Sequence, residues 1–122
     1  MNTRTLCWFL ICEAFAAGAM GCLPQKLVSD PKKEKERAKR NTIVAARQLS
    51  IYLASTSLNV THESIADRYR VHRTLVSKIT AKMEKHRQIS EQLDDWLDGI
   101  EEALTALVAR MQSSIIMETP NG

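Results

Sequence analysis

The sequence predicts an all-α protein, a helical domain with a central helix-turn-helix and a long C-terminal helix. Three observations carry that reading. Thr61–Thr80, THESIADRYRVHRTLVSKIT, places Ile65 and the small Ala66 where a first helix must press on a second. Val71 follows the turn, and Val76 and Ile79 lie three apart on the inner face of that second helix. Leu93, Leu97, Ile100, Leu104, Leu107 and Met111 then alternate by four and three, a heptad-like stripe. Finally, 25% charged and 5% aromatic residues in 122 positions are ordinary for a soluble helical chain that buries one core.

Taken in order, a first helix is expected from about Thr5 to Met20, stopped by Gly21 and Pro24. Its stripe of Leu6, Phe9, Leu10, Ile11, Ala14, Phe15 and Ala17 leaves Glu13 for the wet face. A short helical turn at Pro24–Val28 precedes the break at Ser29, Asp30 and Pro31. PKKEKERAKRN has no apolar face, so it reads as a mobile basic linker or the frayed start of the next helix. That helix is expected over about Thr42–Ser55, followed by a polar loop to Val60. Thr61 is a good N-cap for a helix ending near Tyr69. The next helix runs from about His72 to Met83, and toward Arg87. Arg70 stands in the turn where glycine is usual, because φ > 0 is often needed there.

The last element, Gln88–Met111, admits two readings: it folds back over the core, or it pairs two copies. Folding back is preferred, because three heptads is short for a coiled coil and Trp96, Ala103 and Val108 widen the stripe. Ile115, Ile116 and Met117 would dock. Residues 1–87 thus form the helix-turn-helix domain, 88–117 the C-terminal amphipathic helix and 118–122 a frayed tail.

Charge is segregated along the chain. Residues 26–87 hold 15 Lys/Arg against 6 Asp/Glu, whereas residues 88–122 hold Arg110 against seven acids. The positive block lies on and before the helix-turn-helix, which suits a polyanion. Between the buried positions of the second helix lie His72, Arg73, Thr74, Ser77 and Lys78, side chains able to reach base edges from the major groove. Lys32, Lys33, Lys35, Arg37, Lys39, Arg40, Arg47 and Arg70 are the candidates for phosphates or the minor groove. The bland alternative is a helical hairpin with an exposed basic face.

No phosphate-binding Gly-rich loop, carboxylate pair or nucleophile–base set is present, so neither catalysis nor a cofactor is expected. Glu84, Asp94, Asp95 and Asp98 read as solvated helix faces. Cys7, Cys12 and Cys22 lack zinc-ligand spacing and fit reduced thiols in a cytosolic, nucleoid-associated protein. Arg4, LCWFLIC and AAGAMGC have the outline of a lipoprotein signal ending at Cys22. The apolar run Leu6–Cys12 is short for that role and far too short to span a membrane, so neither export nor a membrane is expected.

An N-terminal helix, a basic linker, a long helix carrying AARQLSIYLA and then a helix-turn-helix resemble, over about Cys12–Met83, the C-terminal DNA-binding domain of the bacterial replication initiator DnaA. The chain looks especially like the small stand-alone alphaproteobacterial relatives without the ATPase. The resemblance implies that Lys39 or Arg40 enters the minor groove and that Arg47 and Gln48 contact DNA. The family's recognition helix opens with Arg-Asp-His-Thr-Thr-Val, where this chain has Val71-His72-Arg73-Thr74-Leu75-Val76. Asp accepts from cytosine, whereas His and Arg favour acceptors such as those of guanine, so the preferred sequence stays open.

The sequence therefore points to a DNA-binding regulator of transcription or replication, with double-stranded DNA as partner. The Leu93, Leu97, Ile100, Leu104, Leu107 and Met111 stripe is its candidate homodimer surface. The alternative is a protein-interaction adaptor with weak or no DNA binding.

Overall fold

The computed structural model describes residues 2–118, with side chains described to residue 113. Five α-helices are present among them: α1 (Thr3–Met20), α2 (Arg37–Thr56), α3 (His62–Tyr69), α4 (Arg73–Ile89) and α5 (Glu91–Glu118). The all-α expectation is met, and two 3₁₀ turns, Pro24–Val28 and Pro31–Lys33, join α1 to α2. Three boundaries move. Helix α2 begins at Arg37 rather than Thr42, so of the two readings of this run RAKRN takes the second, the start of the helix. Its charged first turns need no apolar face, because the helix propagates back from the buried residues beyond Ile43. Helix α4 continues to Ile89, and only Ser90 separates it from α5. Helix α5 reaches Glu118; the side chains of Ile115, Ile116 and Met117 and the tail beyond residue 118 lie outside the described residues.

Two helices close in the same way with different residues. Helix α1 ends at Gly21, φ 82°, whose N–H and that of Cys22 both donate to Ala17 O, at 2.8 and 3.0 Å. Helix α3 ends at Arg70, φ 55° and ψ 47°, whose N–H donates to Ala66 O, as does that of Val71 at 3.0 Å. The left-handed turn that calls for glycine thus holds an arginine, at a backbone cost of about 1 kcal/mol. At the other end of α3, Thr61 Oγ1 accepts from Ser64 N–H at 3.2 Å, the expected cap.

The core is one layer of side chains between α1, α2 and the helix-turn-helix, closed by α5. Phe9, Cys12 and Ala16 of α1, Tyr52 and Leu53 of α2, Ile65 and Tyr69 of α3, and Val76 of α4 are all essentially inaccessible. Phe9 meets Tyr69 edge-on, with ring centroids 6.1 Å apart. Leu97 and Leu104 are fully buried in this same core, with Leu93 and Ile100 packed against it. The stripe expected to offer a homodimer surface therefore covers its own domain. Of its members only Leu107 is exposed, and Met111 is half-buried. Adjacency decides this, since the one-residue joint at Ser90 folds α5 back beside α4.

Glu13 is not on the wet face. It is 2% exposed and takes three hydrogen bonds, from Arg68 Nε (3.0 Å), an Arg68 terminal nitrogen (2.8 Å) and Tyr69 OH (2.9 Å). Ser50 Oγ lies 2.6 Å from the Tyr69 oxygen. The Tyr69 hydrogen goes to Glu13, so Ser50 donates to Tyr69. Burial and the neighbouring Glu13 carboxylate push the Tyr69 phenol well up. A buried carboxylate persists only when paired and fully bonded, and this one clamps α1 to α3.

The acids around the α4–α5 joint keep their solvated faces but also take bonds. Arg87, whose side chain is 12% exposed, donates to Asp94 at 2.7 Å and to Tyr52 OH at 3.0 Å, and also pairs with Asp98 and Glu101. Tyr52 OH donates in turn to Glu84 at 2.7 Å. Of the four acids expected to be solvated, Glu84, Asp94 and Asp98 are tied into this hub of α2, α4 and α5. Asp95 is exposed.

Candidate nucleic-acid interface

Helix α4 is held by its inner face and free on its outer one. Val76 and Ile79 are 0% and 6% exposed, while His72, Arg73, Thr74, Ser77 and Lys78 all reach solvent. His72 is the N-cap: its Nδ1 accepts from Thr74 N–H at 3.1 Å and lies 2.8 Å from Thr74 Oγ1. A nitrogen that accepts a backbone N–H carries a lone pair, so the neutral ring holds its hydrogen on Nε2. That N–H is a donor at the helix start, suited to an acceptor on a base edge or a phosphate. Arg73 in the first turn adds a guanidinium beside it.

Ser77 is committed elsewhere. Its Oγ lies 3.1 Å from His62 Nδ1, and His62 Nε2 lies 3.1 Å from Ser55 Oγ. This relay fixes α4 against α3 and α2, so the positioning of α4 is the first role of Ser77. Two residues not singled out in the sequence join the outer face, Lys82 and Lys85, both exposed. Their spacing of four and seven from Lys78 was the available signal, since such positions share a helix face. Leu75 is 43% exposed on the same helix.

The second basic surface precedes and opens α2. Lys32, Lys33, Lys35, Arg37 and Lys39 are exposed. Asp30 caps the Pro31–Lys33 turn by accepting from Lys32 N–H at 3.0 Å. Lys39 meets Glu36 at 3.2 Å in a solvated pair worth little. Arg40 is half-buried and donates to Glu34 O at 3.1 Å, which holds it on its own backbone rather than as a free minor-groove arm.

Arg47 departs furthest from its expected role. Its guanidinium turns inward over the Tyr69 ring, 5.6 Å from the centroid, and donates to Tyr69 O, the carbonyl just before Arg70. Its Nε is buried without a partner, and burial lowers its pKa, with Tyr69 and Asp30 opposing that shift. Arg47 therefore holds the strained turn instead of a phosphate, and beside it Gln48 is half-buried. Arg70 itself is exposed there.

Asp94, Asp95 and Asp98 come within 4.8 Å of one another, but Arg87 already bonds two of them and supplies the cation. Among the described residues no helix is long and apolar enough to cross a membrane. Comparison with protein-family models, curated proteins and solved structures gives no match.

Proposed function

We propose that this chain binds double-stranded DNA with sequence preference and acts as a regulator of transcription or replication in the cytoplasm, at the nucleoid. The reading includes the DnaA-like resemblance of residues 12–83. One observation carries it: apart from Leu75, the outer face of α4 is polar and basic from His72 to Lys85, while its inner face is locked into the core. The major groove, about 12 Å wide, admits such a helix. His72, Arg73, Thr74 and Lys78 would meet base edges, while Lys32, Lys33, Lys35, Arg37, Lys39 and Arg70 would meet phosphates. Arg40, Arg47, Gln48 and Ser77 support these contacts from behind.

Fluorescence anisotropy with a random duplex at low salt, followed by selection from a random pool, tests the proposal. Micromolar binding that weakens with salt and an enriched motif are expected. A second reading, the protein-interaction adaptor, is favoured by Ile89 and Trp96, which are 76% and 43% exposed around the α4–α5 joint. Absence of any shift at micromolar protein would favour it.

A further inference from the structure

Leu75 is the apolar exception on the outer face of α4. It stands in the first turn of the helix, is 43% exposed, and belongs neither to the buried core nor to the apolar side chains packed against it. A single exposed leucine ordinarily needs no explanation. Its setting is what gives this one a role. His72 lies three residues before it, Lys78 three after and Lys82 seven after, spacings that put all four on one strip of the helix surface. His72, Lys78 and Lys82 are all exposed.

The strip therefore sets one apolar side chain between hydrogen-bond donors. His72, whose Nδ1 accepts from Thr74 N–H at 3.1 Å, presents its Nε2–H, and Lys78 presents an ammonium. Local bonding holds Leu75 in this place. Its own N–H donates to His72 O at 2.9 Å, and the next residue, Val76, is fully buried. The bases differ in what they show in the major groove. Guanine shows two acceptors, cytosine a donor, and adenine an acceptor with a donor. Thymine alone sets an acceptor, O4, beside an apolar group, its 5-methyl. A donor next to an apolar side chain is the complement of thymine and of no other base.

We propose that Leu75 is a specificity-determining residue that packs on the 5-methyl group of a thymine, while the donors of its strip reach O4. The inference rests on the reading of α4 as a helix that enters the major groove, and it names the base that this helix selects. A protein partner is a poorer occupant. The apolar spot is one side chain wide, whereas a standard protein interface covers about 800 Å² on each partner. The cations around Leu75 would also lose their water in such a contact, but on DNA they meet a polyanion.

Selection from a random pool supplies the site, and fluorescence anisotropy then compares it with duplexes in which each thymine in turn is deoxyuridine. That replacement keeps O4 and removes only the methyl. At one position it is expected to weaken wild-type binding about fourfold, the worth of one buried methyl. Leu75→Ala should bind the thymine and uracil duplexes alike and melt close to the wild-type temperature, because the side chain lies outside the core. Lys82→Ala should weaken both duplexes equally and keep the wild-type ratio. A selected site without a fixed thymine, or one where every uracil replacement is neutral, overturns the inference and leaves the DNA-binding reading standing. So does a Leu75→Ala variant that keeps the wild-type ratio. Equal loss on both duplexes together with a lowered melting temperature would make Leu75 structural and overturn it too. A wild-type chain that binds no duplex overturns both.

Discussion

Replacing Glu13 with alanine removes the clamp between α1 and the helix-turn-helix, and the structure bounds the cost. Three bonds are lost, two from Arg68 and one from Tyr69. Charge-assisted bonds are worth about 1.5–3 kcal/mol each, which alone would exceed 4 kcal/mol. Two features moderate the sum. The Arg68 side chain keeps 20% exposure, so its stranded charge recovers some water. Tyr69 keeps the bond from Ser50 but loses the acceptor of its own hydrogen. Against this, a void opens in a packed layer. The net loss expected is about 3–5 kcal/mol, the range for breaking one side of a buried pair. For a chain of this size that is a fall in Tm of roughly 10–20 °C. Urea denaturation followed by circular dichroism measures it. Arg68→Ala and the double variant complete a cycle whose coupling should reach about 2 kcal/mol. A loss below about 1 kcal/mol, or no coupling, would show that Glu13 lies on a solvated face and would refute the clamp.

Other outcomes follow from the same geometry. Arg70→Gly relieves the left-handed turn and should stabilise the fold by about 1 kcal/mol, while weakening DNA binding at every sequence. Thermal melts and anisotropy check the two halves separately. Arg73→Ala should cost about 1–3 kcal/mol on a selected site and relax one base position, whereas Lys33→Ala should weaken all duplexes and lower the salt slope by about one. Equal losses on selected and random DNA for both variants would remove that division of labour. In alkali, burial followed by the bond to Glu84 pushes Tyr52 from 10.0 up to about 12. The folded state then holds a proton that the unfolded chain releases, so stability is retained below pH 10 and falls as pH rises toward 12. Denaturation midpoints across that window test it. Burial likewise raises the Cys12 thiol to about 12, so the native protein should resist alkylation there until it unfolds, as peptide mass mapping would show.

The helix-turn-helix was legible because its signals are local. Ile65, Ala66, Val76 and Ile79 mark an inner face by spacing, and Thr61 announces its cap in the amino-acid order. The fold class followed for the same reason. The positive-φ demand at Arg70 was also readable, since turn geometry depends on a few neighbouring residues. What sequence order does not carry is which distant charge meets which. Glu13 and Arg68 are 55 residues apart, and Arg47 and Tyr69 are 22 apart. Read in isolation, each looks like a surface group, because charged side chains usually are.

The sequence by itself determined the helices, the spacing of the helix-turn-helix and the basic block that surrounds it. Tertiary structure decided the partners. It turned Arg47 inward to hold the turn, set Ser77 on His62, buried Leu97 and Leu104 in their own core and left α1 half-covered. The physical reason is one of range. Helix periodicity and caps act over three or four residues, whereas burial depends on which faces meet once the chain has closed, and only burial makes a charge or a leucine commit to one neighbour.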